Sequence, residues 1–148
     1  LNIYAVDRDG TDVVKNAAAG ILRRIREITL FLNPTEVSYA RLGNHKAPDK
    51  VDWSSAGESE LMYIETRKGQ TRVELRSPDA SSNPYLVYAL LIHAGLEGIG
   101  QKLVLPEQMD EEKILLPGSR KEAAKLAVES EFVRTIVPKE IIRAYAGS

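Results

Sequence analysis

Between Thr71 and Arg76 the sequence alternates strictly, with Arg72, Glu74 and Arg76 interleaved by Val73 and Leu75. Successive side chains of a strand point to opposite faces, so Val73 and Leu75 turn toward a core while the three charged residues share the other face. An upstream run, Leu61 to Thr66, has strand character too, and Arg67-Lys68-Gly69-Gln70 separates the two. That spacing predicts a hairpin with Gly69 in the conformation that glycine tolerates. Together they predict a half-polar, antiparallel element resting on something apolar.

Helices supply that support. Apolar residues recur at Val14, Ala18, Ile21, Leu22, Ile25, Ile28 and Leu32, mostly in steps of three and four, which marks an amphipathic helix. Thr11 or Asp12 can cap its start, and Pro34 stops it by pushing its predecessor out of the helical region. Arg23, Arg24 and Arg26 read as its solvated face. Asn33 to Val51 reads as an irregular loop, and loops beyond about 12 residues are usually functional or mobile. Asn83 caps a second helix with Pro84 at its first position, where no N–H is missed. Its run Leu86 to Leu96 is dense enough to be largely buried, and Gly98 and Gly100 end it. Residues 101 to 117 read as a connection. Two short helices close the chain, one capped by Ser119 and running to about Val128, the other from about Pro138 to Ala146. The fold class is α+β, with short antiparallel strands packed with helices. At 148 residues the expectation is a single domain over 1–148, able to bury roughly two thirds of its unfolded surface.

Composition narrows the function classes. The chain is 43% apolar and 28% charged with a net charge of −1, so no charge excess points to nucleic acid or an anionic membrane. It has no cysteine, no signal-like opening and no apolar run near the ~20 residues of a membrane span, which suits a soluble cytoplasmic protein. It opens at Leu1 without an initiator Met and so reads as a fragment of something longer. His45 and His93 lack the spaced partners of a zinc site. No glycine-rich phosphate loop and no Gly-x-Ser-x-Gly elbow is present.

The charged strand therefore carries whatever chemistry the residues suggest. One reading is a solvated face with cross-strand ion pairs. The other is a site: a carboxylate is a hard oxygen ligand for Mg²⁺ or Mn²⁺, and flanking guanidiniums clamp a carboxylate or phosphate through paired hydrogen bonds. Such a set suits a nucleotide-dependent ligase, where metal and arginines offset phosphoryl charge. Asp79 and Asn83 have turn and capping work to do. Arg41 has no structural task visible in sequence.

A family pattern lies over these residues. Asn33-Pro34-Thr35, Ser38-Tyr39-x-Arg41-Leu42, Ala47-Pro48, Trp53, Arg72-Val-Glu-Leu-Arg-Ser-Pro-Asp79 and Asn83-Pro84-Tyr85-Leu86 resemble the C-terminal part of the glutamine synthetase catalytic domain. Ala94-Gly95-Leu96-x-Gly98-Ile99, Leu116-Pro117-Gly118-Ser119 and Tyr145 continue the likeness. The resemblance implies a fragment of that family's creatine-kinase-like catalytic domain. It also implies an ATP- and Mg²⁺- or Mn²⁺-dependent ligase joining ammonia to glutamate through γ-glutamyl phosphate, homo-oligomeric at full length. On it Glu74 matches a metal-binding glutamate, Arg76 and Arg41 match glutamate-binding arginines, and Lys68 and Arg72 match positions facing the nucleotide. No residue of the chain is carried over as catalytic.

Two departures qualify that implication. Lys46 stands where the family usually has a flap glutamate that helps deprotonate ammonium, and a lysine there would repel ammonium. Glu58 and Tyr63 replace two phosphate-contacting arginines. The other metal glutamates and the nucleotide motif found upstream in the family have no counterpart in these residues, so the isolated chain is expected to be inactive. A γ-glutamyl ligase using another amine and a degenerate regulatory or binding homologue are the competing expectations.

Overall fold

The computed structural model describes residues 2–6, 13–44, 47–57, 60–68, 70–107 and 114–147. The caps expected at Thr11 or Asp12, and residues His45, Lys46, Glu58 and Gly69, lie outside them. A four-stranded sheet carries the charged strand. Its strands are β1 (Asn2–Val6), β2 (Trp53–Ser54), β3 (Met62–Arg67) and β4 (Gln70–Leu75), in the order β1-β4-β3-β2. The β1–β4 and β3–β4 pairs are antiparallel, whereas β2 runs parallel to β3 through only two residue pairs. A two-residue parallel strand has no local sequence signature, and its partner is fixed by tertiary packing. β4 is therefore an interior strand, hydrogen-bonded on both sides. The hairpin is tighter than the four-residue turn expected, since Arg67 pairs with Gln70 and Lys68 takes a positive φ of 50°.

Helix α1 (Val13–Leu32) buries Ile21, Leu22, Ile25, Ile28, Leu30 and Phe31, and Asn33 N donates to Thr29 O (2.8 Å) just before Pro34. Val73 and Leu75 meet this core from β4, as their alternation requires, together with Met62 and Ile64 from β3. The expected irregular stretch after Asn33 contains a helix, α2 (Glu36–Arg41). Thr35 caps it by accepting from Ser38 N, and the Ser38 hydroxyl answers toward Thr35 N.

Helix α3 (Pro84–Gly100) begins as expected, with the Asn83 side chain accepting from Tyr85 N. It is only half buried. Val87, Leu90, Leu91 and Ala94 face the core, whereas Tyr85, Ile92 and Leu96 are exposed. Gly98 does not end the helix; it lies against Gly20 of α1, where a Cβ on Gly98 would fall 2.1 Å from Asn16 O and 2.8 Å from Gly20 Cα. At this crossing the two backbones touch. Arg24 corrects a second expectation, because it is paired and only partly exposed, while Arg23 is exposed as expected. Arg24 reaches Glu97 of α3 with two bonds (Nε to Oε2 2.8 Å, Nη2 to Oε1 2.7 Å) and Glu27 with a third. Arg26 reaches Glu122 of α4 (Arg120–Glu129), and Arg23 reaches Gln101. The Arg24 contact holds the Glu97 carboxyl below its usual range.

Three short helices close the chain where two were expected. α5 (Glu131–Ile136), capped by Ser130, lies between α4 and α6 (Lys139–Gly147). Six residues with one buried side chain, Val133, give too little periodicity to read. Among the described residues no helix is long and apolar enough to cross a membrane.

Candidate functional site

The polar face of the hairpin forms one wall of an open cleft of about 690 Å³, lined by Tyr63, Glu65 and Arg67 from β3 and by Arg72, Glu74 and Arg76 at β4. The register sets them in rows, with Glu65 opposite Arg72 and Tyr63 opposite Glu74. Charges alternate along the wall. Glu65 stands 2.5 Å from Arg67 Nε and 3.3 Å from Arg72 Nη2, and Glu74 lies 3.2 Å from Arg76 Nε and 3.9 Å from Arg72 Nη2. Beneath Glu74 the Tyr63 ring takes both guanidiniums, with its centroid 6.0 Å from Arg72 Cζ and 5.6 Å from Arg76 Cζ.

The choice between a solvated face and a site turns on burial and on donors left over. A solvated arginine satisfies its N–H groups with water; here Arg72 Nε and Arg76 Nη1 are buried and have no hydrogen-bond partner. The Arg76 side chain is only 12% exposed. Buried donors without partners are costly, and an anion entering the cleft is the kind of group that satisfies guanidinium N–H groups in pairs.

The carboxylates define what cation the wall could hold. Glu74 and Glu65 present hard oxygens, which suit Mg²⁺ or Mn²⁺. Among the described residues no group of three or more His, Cys, Asp or Glu gathers to hold a metal. Mg²⁺ commonly takes one or two protein carboxylates and completes its octahedron with water and substrate phosphates, so this donor set fits part of such a site.

Two of the five residues singled out in sequence stand off the wall. Lys68 is exposed at the hairpin tip and Arg41 ends α2; neither lines the cleft. Arg41 proves to have a structural task after all. Its Nη2 donates to Asn33 Oδ1 (3.0 Å) and to Ser77 O (2.8 Å), and its Nε lies 3.7 Å from Asp79 Oδ2. It thus ties α2 to the segment leaving β4 next to Arg76. That segment is held elsewhere too, by Arg76 N to Leu61 O (3.0 Å) and Asp79 N to Leu32 O (2.8 Å). The Asp79 carboxylate accepts from Ser81 N and Oγ, and the Ser81 backbone bond foremost lowers its pKa. Glu65 and Arg67 are charged wall residues that sequence reading missed. The signal was available, since residues 63, 65 and 67 share one face by the same period of two that groups 72, 74 and 76.

An α+β layer thus presents an interior strand of alternating Arg and Glu to an open cleft, with guanidinium donors and carboxylate oxygens on one wall. The family model for the glutamine synthetase catalytic domain matches residues 3–148, and the chain belongs to that family. Among curated relatives it is 37% identical over 141 residues to a glutamine synthetase of Methanosarcina mazei, covering 85% of this chain and 32% of that protein. It is 36% identical over 114 residues to one of Methanocaldococcus jannaschii, covering 76% and 25%. With one of Staphylococcus epidermidis it shares 39% identity over 103 residues, covering 68% and 23%. The chain thus spans between a quarter and a third of the length of these relatives, less in the last case.

Proposed function

We propose that residues 1–148 are one domain, the C-terminal portion of the catalytic domain of a cytoplasmic, homo-oligomeric, ATP-dependent glutamate–ammonia ligase. In that reaction ATP phosphorylates the γ-carboxylate of glutamate and ammonia displaces the phosphate. The observation that carries the reading is the pair of partnerless donors, Arg72 Nε and Arg76 Nη1, beside Glu74 in an open cleft of a chain with glutamine synthetase relatives. Glu74 would give one oxygen ligand to Mg²⁺ or Mn²⁺, with Glu65 on the same face. When bound, the ion offsets charge on the transferring phosphoryl group. Arg76 binds a carboxylate of glutamate, and Arg41 does so with the N–H groups that its ties to Asn33 and Ser77 leave. Arg72 and Lys68 meet the nucleotide phosphates. The remaining ligands come from outside these residues, so the isolated chain is inactive.

A γ-glutamyl ligase acting on another amine is the second reading. Lys46 favours it, standing where the resemblance leads one to expect the flap glutamate that helps deprotonate ammonium, whereas Tyr63 on the cleft wall, in place of a phosphate-contacting arginine, favours a degenerate homologue. Both readings meet one experiment on the complete protein that carries these residues. Metal-dependent ADP release is measured with glutamate and either ammonium or a panel of amines, in wild type and in Glu74→Ala. Release with ammonium supports the first reading, and release only with another amine supports the second. Glu74→Ala should bring the rate to background while the thermal midpoint stays within a few degrees. Wild type silent with every amine would sink both, leaving a regulatory or binding homologue.

A further inference from the structure

Arg72 and Arg76 leave the same strand four residues apart, about 13 Å at the rise of an extended chain. Both guanidinium carbons nevertheless lie within 6.0 Å of one ring, that of Tyr63. Tyr63 is paired in register with Glu74, the residue midway between them. Two like charges leaning toward a common point repel, and two features oppose that repulsion. Glu74 contacts both from the same strand, and the negative face of the ring attracts both from the neighbouring one. Glu65 holds Arg72 from the other side. Arg72 Nε and Arg76 Nη1 are left without partners where the two side chains converge on the cleft.

We infer that Tyr63 is a positioning residue, whose ring gathers the Arg72 and Arg76 guanidiniums into one oxyanion-receiving unit, with a phosphoryl group on Arg72 beside a carboxylate on Arg76. The strand's geometry sends them out at separated points, and the electron-rich ring on the neighbouring strand adds to Glu74 in drawing both inward. An aliphatic side chain of similar size would fill the same space and leave the repulsion opposed by Glu74 alone. The kinetic part of the inference rests on the function proposed above; the geometric part does not.

The test uses the complete protein with Tyr63→Leu, Tyr63→Met and Tyr63→Phe. Crystal structures of the variants report the distance between the two guanidiniums, and steady-state ADP release reports KM and kcat for ATP and for glutamate. In Tyr63→Leu the guanidiniums should splay apart. KM for both substrates should rise about tenfold, the scale of a single cation–π interaction, with a smaller change in kcat. Tyr63→Phe keeps the ring and should recover both the geometry and most of the affinity. Should the leucine variant fold poorly, Tyr63→Met supplies the non-aromatic comparison. Guanidiniums that stay together in the leucine or methionine variant overturn the inference, as does a phenylalanine variant as impaired as leucine, which would assign the work to the hydroxyl. If wild type releases no ADP with any amine, the proposed function falls, and the crystallographic comparison alone decides the role of Tyr63.

Discussion

Replacing Gly98 with alanine tests the backbone-to-backbone contact between α1 and α3. Within a helix the exchange should help, by about 1 kcal/mol of intrinsic propensity. The added Cβ, however, would sit 2.1 Å from Asn16 O and 2.8 Å from Gly20 Cα, both backbone atoms that cannot rotate away. Ordinary contact needs a retreat of about 1 Å by the whole of α1, loosening Ala18, Ile21, Leu22 and Ile25 against Leu90, Leu91 and Ala94. Overpacking of this kind costs about 3 kcal/mol where the neighbours are rigid. The expected net loss is about 2 kcal/mol, or a fall in Tm of roughly 6 °C for a chain of this size. Gly95→Ala, three residues earlier on the same helix, is the control. Its Cβ would lie 3.6 Å from the Ala17 Cβ, ordinary contact, so the propensity gain should appear undiminished. Gly20→Ala meets Ala94 O at 2.2 Å and should behave like Gly98→Ala, and the double variant should lose less than the sum because one displacement serves both. Urea unfolding followed by far-ultraviolet circular dichroism reads all four. A Gly98→Ala protein as stable as wild type would refute the reasoning, since it would mean that the helices do not approach through these glycines.

Two further outcomes follow from local features. Glu97 has its pKa lowered by Arg24 and Asp79 by Ser81, so each stabilises the fold fully above the ordinary carboxylate range and loses that contribution as pH falls through the lowered folded value. Stability measured by urea unfolding should therefore decline below about pH 4; Glu97→Gln should cost about 2 kcal/mol at pH 7, and its difference from wild type should shrink as the pH falls below the ordinary carboxylate range. Lys68 holds a positive φ that a lysine adopts at a cost, so Lys68→Gly should raise stability by up to about 1 kcal/mol in the same assay, and no gain would mean that the turn carries no strain.

What the sequence disclosed divides by range. The first helix was readable because Val14 through Leu32 repeat over several turns before a proline. The second announced itself in Asn83-Pro84, and the hairpin in two alternating runs around a short polar turn. Each signal is local. Helices α2 and α5 escaped because six residues span less than two turns, although the Thr35–Ser38 capping pair marked the first of them. β2 escaped because two residues become a strand only when β3 lies alongside. The wall of the cleft was half legible: the period of two gathered Arg72, Glu74 and Arg76 and could have gathered Tyr63 with Glu65, whereas the placing of the Tyr63 ring opposite Glu74 needed the register of a neighbouring strand. Arg24 looked solvated because Glu97 lies 73 residues away. The exposed side of α3 was misjudged for a related reason, as apolar density along a helix does not say how many of its faces have neighbours.

The place of β4 in the sheet has a consequence for how the chain folds. Its pairing with β3 closes across two residues and forms on the microsecond scale, while its other side waits for Asn2–Val6, joined through a loop of more than sixty residues. Until β1 arrives, β4 is an open edge, the state in which strands recruit one another between molecules. Arg72 and Glu74 stand on that edge throughout the wait. The charges that later line a cleft thus serve first as a guard against mispairing, and replacing them with apolar residues would burden folding yield before it touched any chemistry.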